Sequence, residues 1–183
     1  MWRFTVAAPV KMTENQSRNL LLSVKPNFAD LLLSGEKTAE LRRTQPRVNP
    51  GAVALVYSST PQKALVGAIR IDSVHTLDPA KVWERWAPRC GLRRAEFNNY
   101  VAGCNAVTVL LLDKVRAFPV PISLAILRHR WDRFVAPQSF RYVVANEIAA
   151  LLNGEGRIVE ELSLESTIAS GYSQHASQRS PRA

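Results

Sequence analysis

Apolar residues in this chain come in short, dense runs set apart by polar turns marked with proline and glycine. Leu20 to Val24 is the first run and predicts a short buried strand. Pro26 suits the first turn of a helix, where its missing N–H costs little. Phe28, Leu31 and Leu32 then recur at helical spacing, and Gly35 supplies the C-terminal stop. A second strand is expected over Thr38 to Arg43, followed by a loop at Pro46 and Asn49-Pro50-Gly51. Ala52 to Ser58 and Ala64 to Val74 read as a third and a fourth strand, joined by a turn over residues 59–63. Asp78 and Pro79 open a helix to Trp86, and Leu92 to Val101 forms another. Ala106 to Phe118 is a long strand rich in Val and Leu, which Pro119 and Pro121 should break before a short helix from Ser123 to Arg130. Val144, Ile148, Leu151 and Leu152 line one face of a last helix ending near Asn153-Gly154.

This pattern divides the chain into a flexible leader over 1–19, a folded domain over 20–142, a helical extension over 143–163 and a tail over 164–183. The tail is Ser-rich and has too little apolar content to order itself. Met12 is an alternative start. About five strands with short helices inserted between them predict a mainly β, α+β fold, a compact and mostly antiparallel barrel. The regular strand–helix alternation of a doubly wound sheet is missing. So are G-x-G-x-x-G and G-x-x-x-x-G-K-[ST], which removes dinucleotide and P-loop readings.

Charge changes the picture. Among 183 residues, 24 Lys and Arg face 15 Asp and Glu, a formal +9. Such an excess makes a positive field that attracts phosphates, although a merely solvated basic surface has the same composition. No apolar run approaches the roughly 20 residues needed to span a bilayer. The N-terminal MWRFTVAAPVKM is interrupted by Pro9 and Lys11, too weak for a secretory signal, so a cytoplasmic protein is expected. Cys90 and Cys104 form no C-x-x-C pair, and His75, His129 and His175 are scattered. A structural zinc site needs about four ligands at paired spacings. No metal and no cofactor are therefore expected, and both thiols should be free in a reducing compartment.

The stretch with the most chemistry is Ser23-Val24-Lys25-Pro26, a helix, and then Gly35-Glu36-Lys37-Thr38-Ala39-Glu40-Leu41-Arg42-Arg43. Side chains alternate along a strand, so Ala39 and Leu41 should face the core and Thr38, Glu40 and Arg42 the opposite side. Lys25 ends the preceding strand and Lys37 sits at the turn. Two lysines, an arginine and a glutamate can thus converge at one mouth of the barrel. Lys25, Lys37 and Arg42 would offer cationic donors to a phosphate or to base carbonyls. Glu40 would accept from an exocyclic amine or hold the arginine. The alternative is a solvated strand with charge pairing between Glu40 and Arg42.

The order S-V-K-P, an apolar helix, and S-G-E-K-T-x-E-L-R-R resembles the signature of the ASCH family. Gly35, Lys37, Glu40 and Arg42 meet its spacing G-x-K-x-x-E-x-R. Residues 53–71 look like the family's paired central strands. PQSFRY (137–142) resembles the motif closing the domain in a bacterial branch of predicted regulators. The resemblance covers Leu20 to Tyr142 and implies a PUA-like β-barrel with a cleft beside the first helix. It also implies a partner: nucleic acid, RNA more than DNA, or a nucleotide or modified nucleoside. Some members are enzymes, among them proposed ribonucleases and an amidohydrolase branch acting on N4-acetylcytidine. That branch uses a lysine and a threonine three residues later. Lys37 matches the lysine, but Glu40 stands where the threonine would be, and Thr38 is not equivalent. A carboxylate cannot take over the role of a hydroxyl nucleophile. A metal-independent ribonuclease would instead use Glu40 as acid or base and Lys37 as stabiliser of the phosphorane. The same residues suit binding without catalysis, and a regulatory protein-interaction module is the third possibility.

Further candidates lie elsewhere. Tyr57 and Ser58 end the third strand near the expected cleft and can hydrogen-bond a base or phosphate, or be turn chemistry only. Gln138 and Arg141 can read a base edge, while Phe140 is better suited to packing. Arg128, Arg130, Trp131 and Arg133 interleave cations with an aromatic, as a surface tracking a nucleic-acid backbone requires. The competing reading has Trp131 packed inward. The sequence leaves oligomeric state open.

Overall fold

The computed structural model of the chain describes residues 18–131, 133–153 and 161–162. The expected tail and nearly all of the expected leader lie outside the described residues. Among the described residues six strands form one mixed sheet in the order β2-β5-β4-β3-β1-β6. They are β1 (Asn19–Val24), β2 (Ala39–Arg42), β3 (Val53–Ser58), β4 (Ala64–Leu77), β5 (Val107–Ser123) and β6 (Phe140–Val143). All neighbours are antiparallel except β1 and β3, which run parallel from Leu20↔Ala54 to Val24↔Ser58.

Among the described residues the helices covering the sheet are α1 (Pro26–Ser34), α2 (Pro79–Trp86), α3 (Arg94–Val101), α4 (Leu124–Arg130) and α5 (Ala145–Leu152), with a 3-10 turn at Ala87–Arg89. The central strands read as unbroken apolar runs because both of their faces are covered. Leu20, Leu22 and Val24 of β1 pack with Ala29 and Leu32 of α1, together with Val56 and Leu110. Leu21 points the other way, into a cluster with Leu127 of α4 and Ile148, Leu151 and Leu152 of α5. A third cluster joins Ala39 and Leu41 of β2, and Val107, Val109 and Leu111 of β5, to Val82 of α2 and Phe97 of α3. One sheet therefore carries three apolar clusters, and α1 lies on the side that also receives the alternate residues of β2 and β5.

Two features differ from the sequence expectation. β5 does not end at Phe118 but continues through Pro119 and Pro121 to Ser123. Its register against β4 jumps from Gly67↔Ala117 to Leu65↔Ile122, so both prolines sit in the bulge between. On its other side β5 pairs β2 only over Thr108 to Leu111, which leaves this half at a sheet edge where missing N–H groups cost nothing. The second difference is a sixth strand, β6, pairing β1 from Asn19↔Val143 to Leu22↔Phe140. The sheet curls enough for its two edge strands to be bridged: Arg42 of β2 donates to the carbonyl of Ser139, beside β6, at 3.0 Å. Among the described residues no helix is long and apolar enough to cross a membrane.

Candidate functional site

The site begins with the turn at Gly35. This residue ends α1 in the left-handed conformation at φ 81°, where a side chain would be strained, and its N–H reaches the carbonyl of Leu32. The chain reverses there, and the N–H of Lys37 returns to the carbonyl of Leu31 at 2.8 Å. That reversal turns the Lys37 side chain inward, leaving it only 3% exposed. Its ammonium donates to the carbonyls of Ala39 at 2.9 Å and Cys90 at 2.5 Å and pairs with Glu40 Oε2 at 3.3 Å. Glu40 Oε1 meets Arg42 at 2.7 Å. Arg42 donates onward to the carbonyl of Ser23 at 3.3 Å and to the Ser139 hydroxyl at 3.2 Å.

Lys37, Glu40 and Arg42 thus form one buried network in which each charge meets its opposite and backbone carbonyls take the remaining donors. Taking such charges from water is costly, and the network holds because almost every polar atom has a partner. The Arg42 Nε is the exception; it is buried without a partner among the described residues. Strand parity accounts for the pairing of Glu40 with Arg42. It fails for Thr38, which lies before β2 begins and whose hydroxyl accepts from Arg89 at 2.8 Å.

This network floors a cleft of about 440 Å³. Phe28, Leu41, Leu92 and Tyr100 supply apolar and aromatic wall, while Lys25, Arg43, Thr44, Ser23, Gln138 and Ser139 complete the lining. Tyr100 is fixed by its hydroxyl, which donates to the carbonyl of Leu41 at 2.9 Å. Burial pushes the Tyr100 phenol above the usual tyrosine range, and Arg42 opposes that shift. The Lys37 ammonium sits 5.5 Å from the Phe28 ring centre. The Lys25 ammonium is exposed and makes no hydrogen bond or ion pair among the described residues, while its carbonyl accepts from the N–H groups of Phe28 and Ala29.

A second hollow of about 330 Å³ adjoins the first and shares Ser23 and Gln138 with it. Tyr57, Ser59, Thr60 and Lys63 line it, with Leu124, Ala136 and Pro137. Burial pushes the Tyr57 phenol up as well, and the charge of Arg128 acts against that. Lys63, in the tight turn after β3, is exposed and unpaired among the described residues.

Lys25, Lys37, Glu40, Arg42 and Gln138 therefore come together in one hollow, whereas Tyr57 belongs to the neighbouring one. Ser58 lines neither. Its parity is opposite to that of Tyr57, and its hydroxyl is fully buried without a partner among the described residues. Arg141 also lies away from both hollows, stacked on Trp131 at 4.4 Å and paired with Glu147 at 3.4 Å.

Trp131 packs inward against Phe134 and the cluster of Leu21, Leu127 and Leu151, and Arg141 lies over its ring. Arg130 is half-buried and donates to the carbonyl of Leu151 at 2.7 Å, while Arg128 and Arg133 are exposed. Cys90 is buried beside the network, and neither it nor Cys104 is in a disulfide. Among the described residues no three metal-ligating side chains gather.

Leu92, Tyr100, Arg43, Ser139 and Lys63 are lining residues that sequence reasoning missed. Leu92 and Tyr100 reach the cleft from the α2–α3 excursion, 55 and 63 residues from Lys37 in sequence. No local pattern signals that approach. Lys63 carried a signal, a lysine ending a proline turn between two strands.

The model of the ASCH domain family matches residues 22–115. A protein of Zymomonas mobilis described as an ASCH domain-containing ribonuclease is 26% identical over 136 residues, spanning 74% of this chain and 91% of its own length. The crystal structure of ASCH from Zymomonas mobilis superposes with a TM-score of 0.71 at 26% identity, covering 74% of this chain and 94% of that one. The large ribosomal subunit protein uL22 of Ureaplasma parvum is 23% identical over 131 residues, 71% of this chain but only 40% of that protein. The mixed, curled sheet with its helices is thus the PUA-like α+β architecture that the sequence resemblance implied.

Proposed function

Because this chain belongs to the ASCH domain family, we propose that it is an RNA-associated protein that binds single-stranded RNA along the two adjoining hollows. One observation carries this reading: an apolar-walled cleft whose exposed rim holds Lys25, a cation without an ion pair among the described residues. A nucleotide needs those two things together, a face for its base and positive charge for its phosphate. Lys25 and Lys63 supply free charge at the two ends, with Arg43 between the cleft and α3. The buried trio Lys37, Glu40 and Arg42 serves as a rigid polar floor. Its charges are spent on one another and on backbone carbonyls, so it chiefly shapes the hollow, and the remaining lone pairs of Glu40 and the unpartnered Arg42 Nε–H are what it keeps for a base edge.

Fluorescence anisotropy with short labelled RNA and DNA of equal sequence tests the reading. RNA binding at low salt, tighter than DNA, is expected; absence of binding to either would refute it. Hydrolysis of RNA without a metal is the second reading, favoured by the ribonuclease described in Zymomonas mobilis. In this chain Lys37 and Glu40 are the residues first suited to such a step by type, but they are buried and paired with each other, and Arg42 holds Glu40 as well. Tyr57 and Lys63 are titratable groups of the groove not tied up in ion pairs among the described residues. Incubating RNA with wild type and with Tyr57→Phe, Lys63→Ala and Glu40→Gln separates the two sets: loss of cleavage only in the first two locates the chemistry in the second hollow.

A further inference from the structure

Resting on the RNA-binding reading, we infer that the groove takes two consecutive unstacked nucleotides, one in each hollow, with Gln138 at the step between them. Both hollows, about 440 and 330 Å³, fall in the range of small-ligand sites, and they meet at Ser23 and Gln138. Their chemistry differs in a way that sets the register. In the first, Phe28, Leu92 and Tyr100 surround a buried polar floor, which suits the flat faces and hydrogen-bonding edge of a base. In the second, the hydroxyls of Tyr57, Ser59 and Thr60 and the Lys63 ammonium stand beside Leu124, Ala136 and Pro137, with the charge of Arg128 reaching the same phenol. Such a lining suits a phosphodiester and its sugar, which position a strand without reading its sequence.

A strand that enters both hollows crosses the exposed Gln138 side chain. Its amide both donates and accepts, and so can serve a sugar hydroxyl and a phosphate oxygen at the crossing. Two bases divided by this side chain cannot stay stacked. The site therefore selects single strands and rejects duplexes, whose bases remain stacked and paired. The footprint is short: the gain in affinity comes with the second nucleotide, and further ones add only general charge attraction.

Calorimetric titration at one low salt concentration tests this with uridine monophosphate, the dinucleotide UpU, the tetranucleotide and a duplex RNA. The strands carry 2′-O-methyl groups on their internal sugars so that they stay intact. UpU should bind about tenfold or more tighter than the mononucleotide, an equilibrium step of one decade. The tetranucleotide should gain less than about threefold beyond UpU, and the duplex should bind no better than the mononucleotide. Gln138→Trp, on an exposed loop, should block the crossing and remove the step between the mononucleotide and UpU. Gln138→Ala, melting at the wild-type temperature, should reduce the step without abolishing it. Affinity rising evenly with length, or a step at UpU that Gln138→Trp leaves intact, would overturn the two-nucleotide register and leave RNA binding standing. Absence of binding by every RNA would overturn both.

Discussion

Arg42 on one edge strand of the sheet donates to the carbonyl of Ser139, next to the opposite edge, at 3.0 Å. The same guanidinium holds Glu40 at 2.7 Å. A single side chain thus ties the curl of the sheet to the floor of the cleft. The fold and the candidate site share a fastening, and changes to one should be felt in the other.

Glu40 is the anion between two buried cations, so neutralising it leaves Lys37 and Arg42 without a counter-charge. Glu40→Gln should cost about 3–5 kcal/mol, the usual penalty for removing one partner of a buried pair. Urea unfolding of the wild type and the variant measures this. A cost under about 1 kcal/mol would show that the floor is not a stabilising network.

Gly67 on β4 leaves no room for a side chain. A Cβ there would stand 2.6 Å from the carbonyl oxygen of Arg116 and 2.6 Å from the Leu33 side chain. The first neighbour is backbone and cannot step aside. Gly67→Ala should destabilise by about 1–3 kcal/mol through overpacking, visible as a lowered melting temperature.

Burial raises the Tyr100 phenol above its ordinary value of about 10. The folded state therefore holds that proton more tightly than the unfolded chain. Stability from this group is complete below about pH 10 and is lost as the pH climbs from there through the raised value in the folded protein. Thermal melts between pH 8 and 11 should show the decline, and Tyr100→Phe should make it shallower.

Salt should weaken RNA binding in proportion to the phosphates neutralised, by roughly 0.7 in log K per decade of salt for each on a single strand. Lys25→Ala and Lys63→Ala should each lower that slope by about 0.7 without moving the melting temperature, because both side chains are exposed and unpaired among the described residues. Anisotropy titrations at three salt concentrations read the slope directly.

Much of the fold was legible in local pattern. Dense apolar runs such as Leu20 to Val24 and Ala52 to Ser58 became strands covered on both faces, and Gly35 ended α1 where expected. What was not legible came from distant pairing. Pro119 and Pro121 look like strand breakers in isolation; only the bulge against β4 and the unpaired outer edge make them tolerable. The convergence of Lys37, Glu40 and Arg42 followed from a turn and strand parity, but their burial did not, since it depends on Cys90 and Ser139 arriving from elsewhere. Arg141 shows the same limit. Its sequence motif suggested a base contact, yet Trp131 and Glu147, 10 and 6 residues away, engage it.

Ultraviolet crosslinking of the full chain to a short single-stranded RNA, followed by peptide mass spectrometry, tests most directly where RNA lies. Crosslinks should concentrate in peptides holding Lys25 and Phe28, Arg43, Tyr57 to Lys63, and Gln138, and should fall sharply in the Lys25→Ala, Lys63→Ala double variant. Crosslinks confined to peptides outside both hollows, unchanged in that variant, would contradict the account.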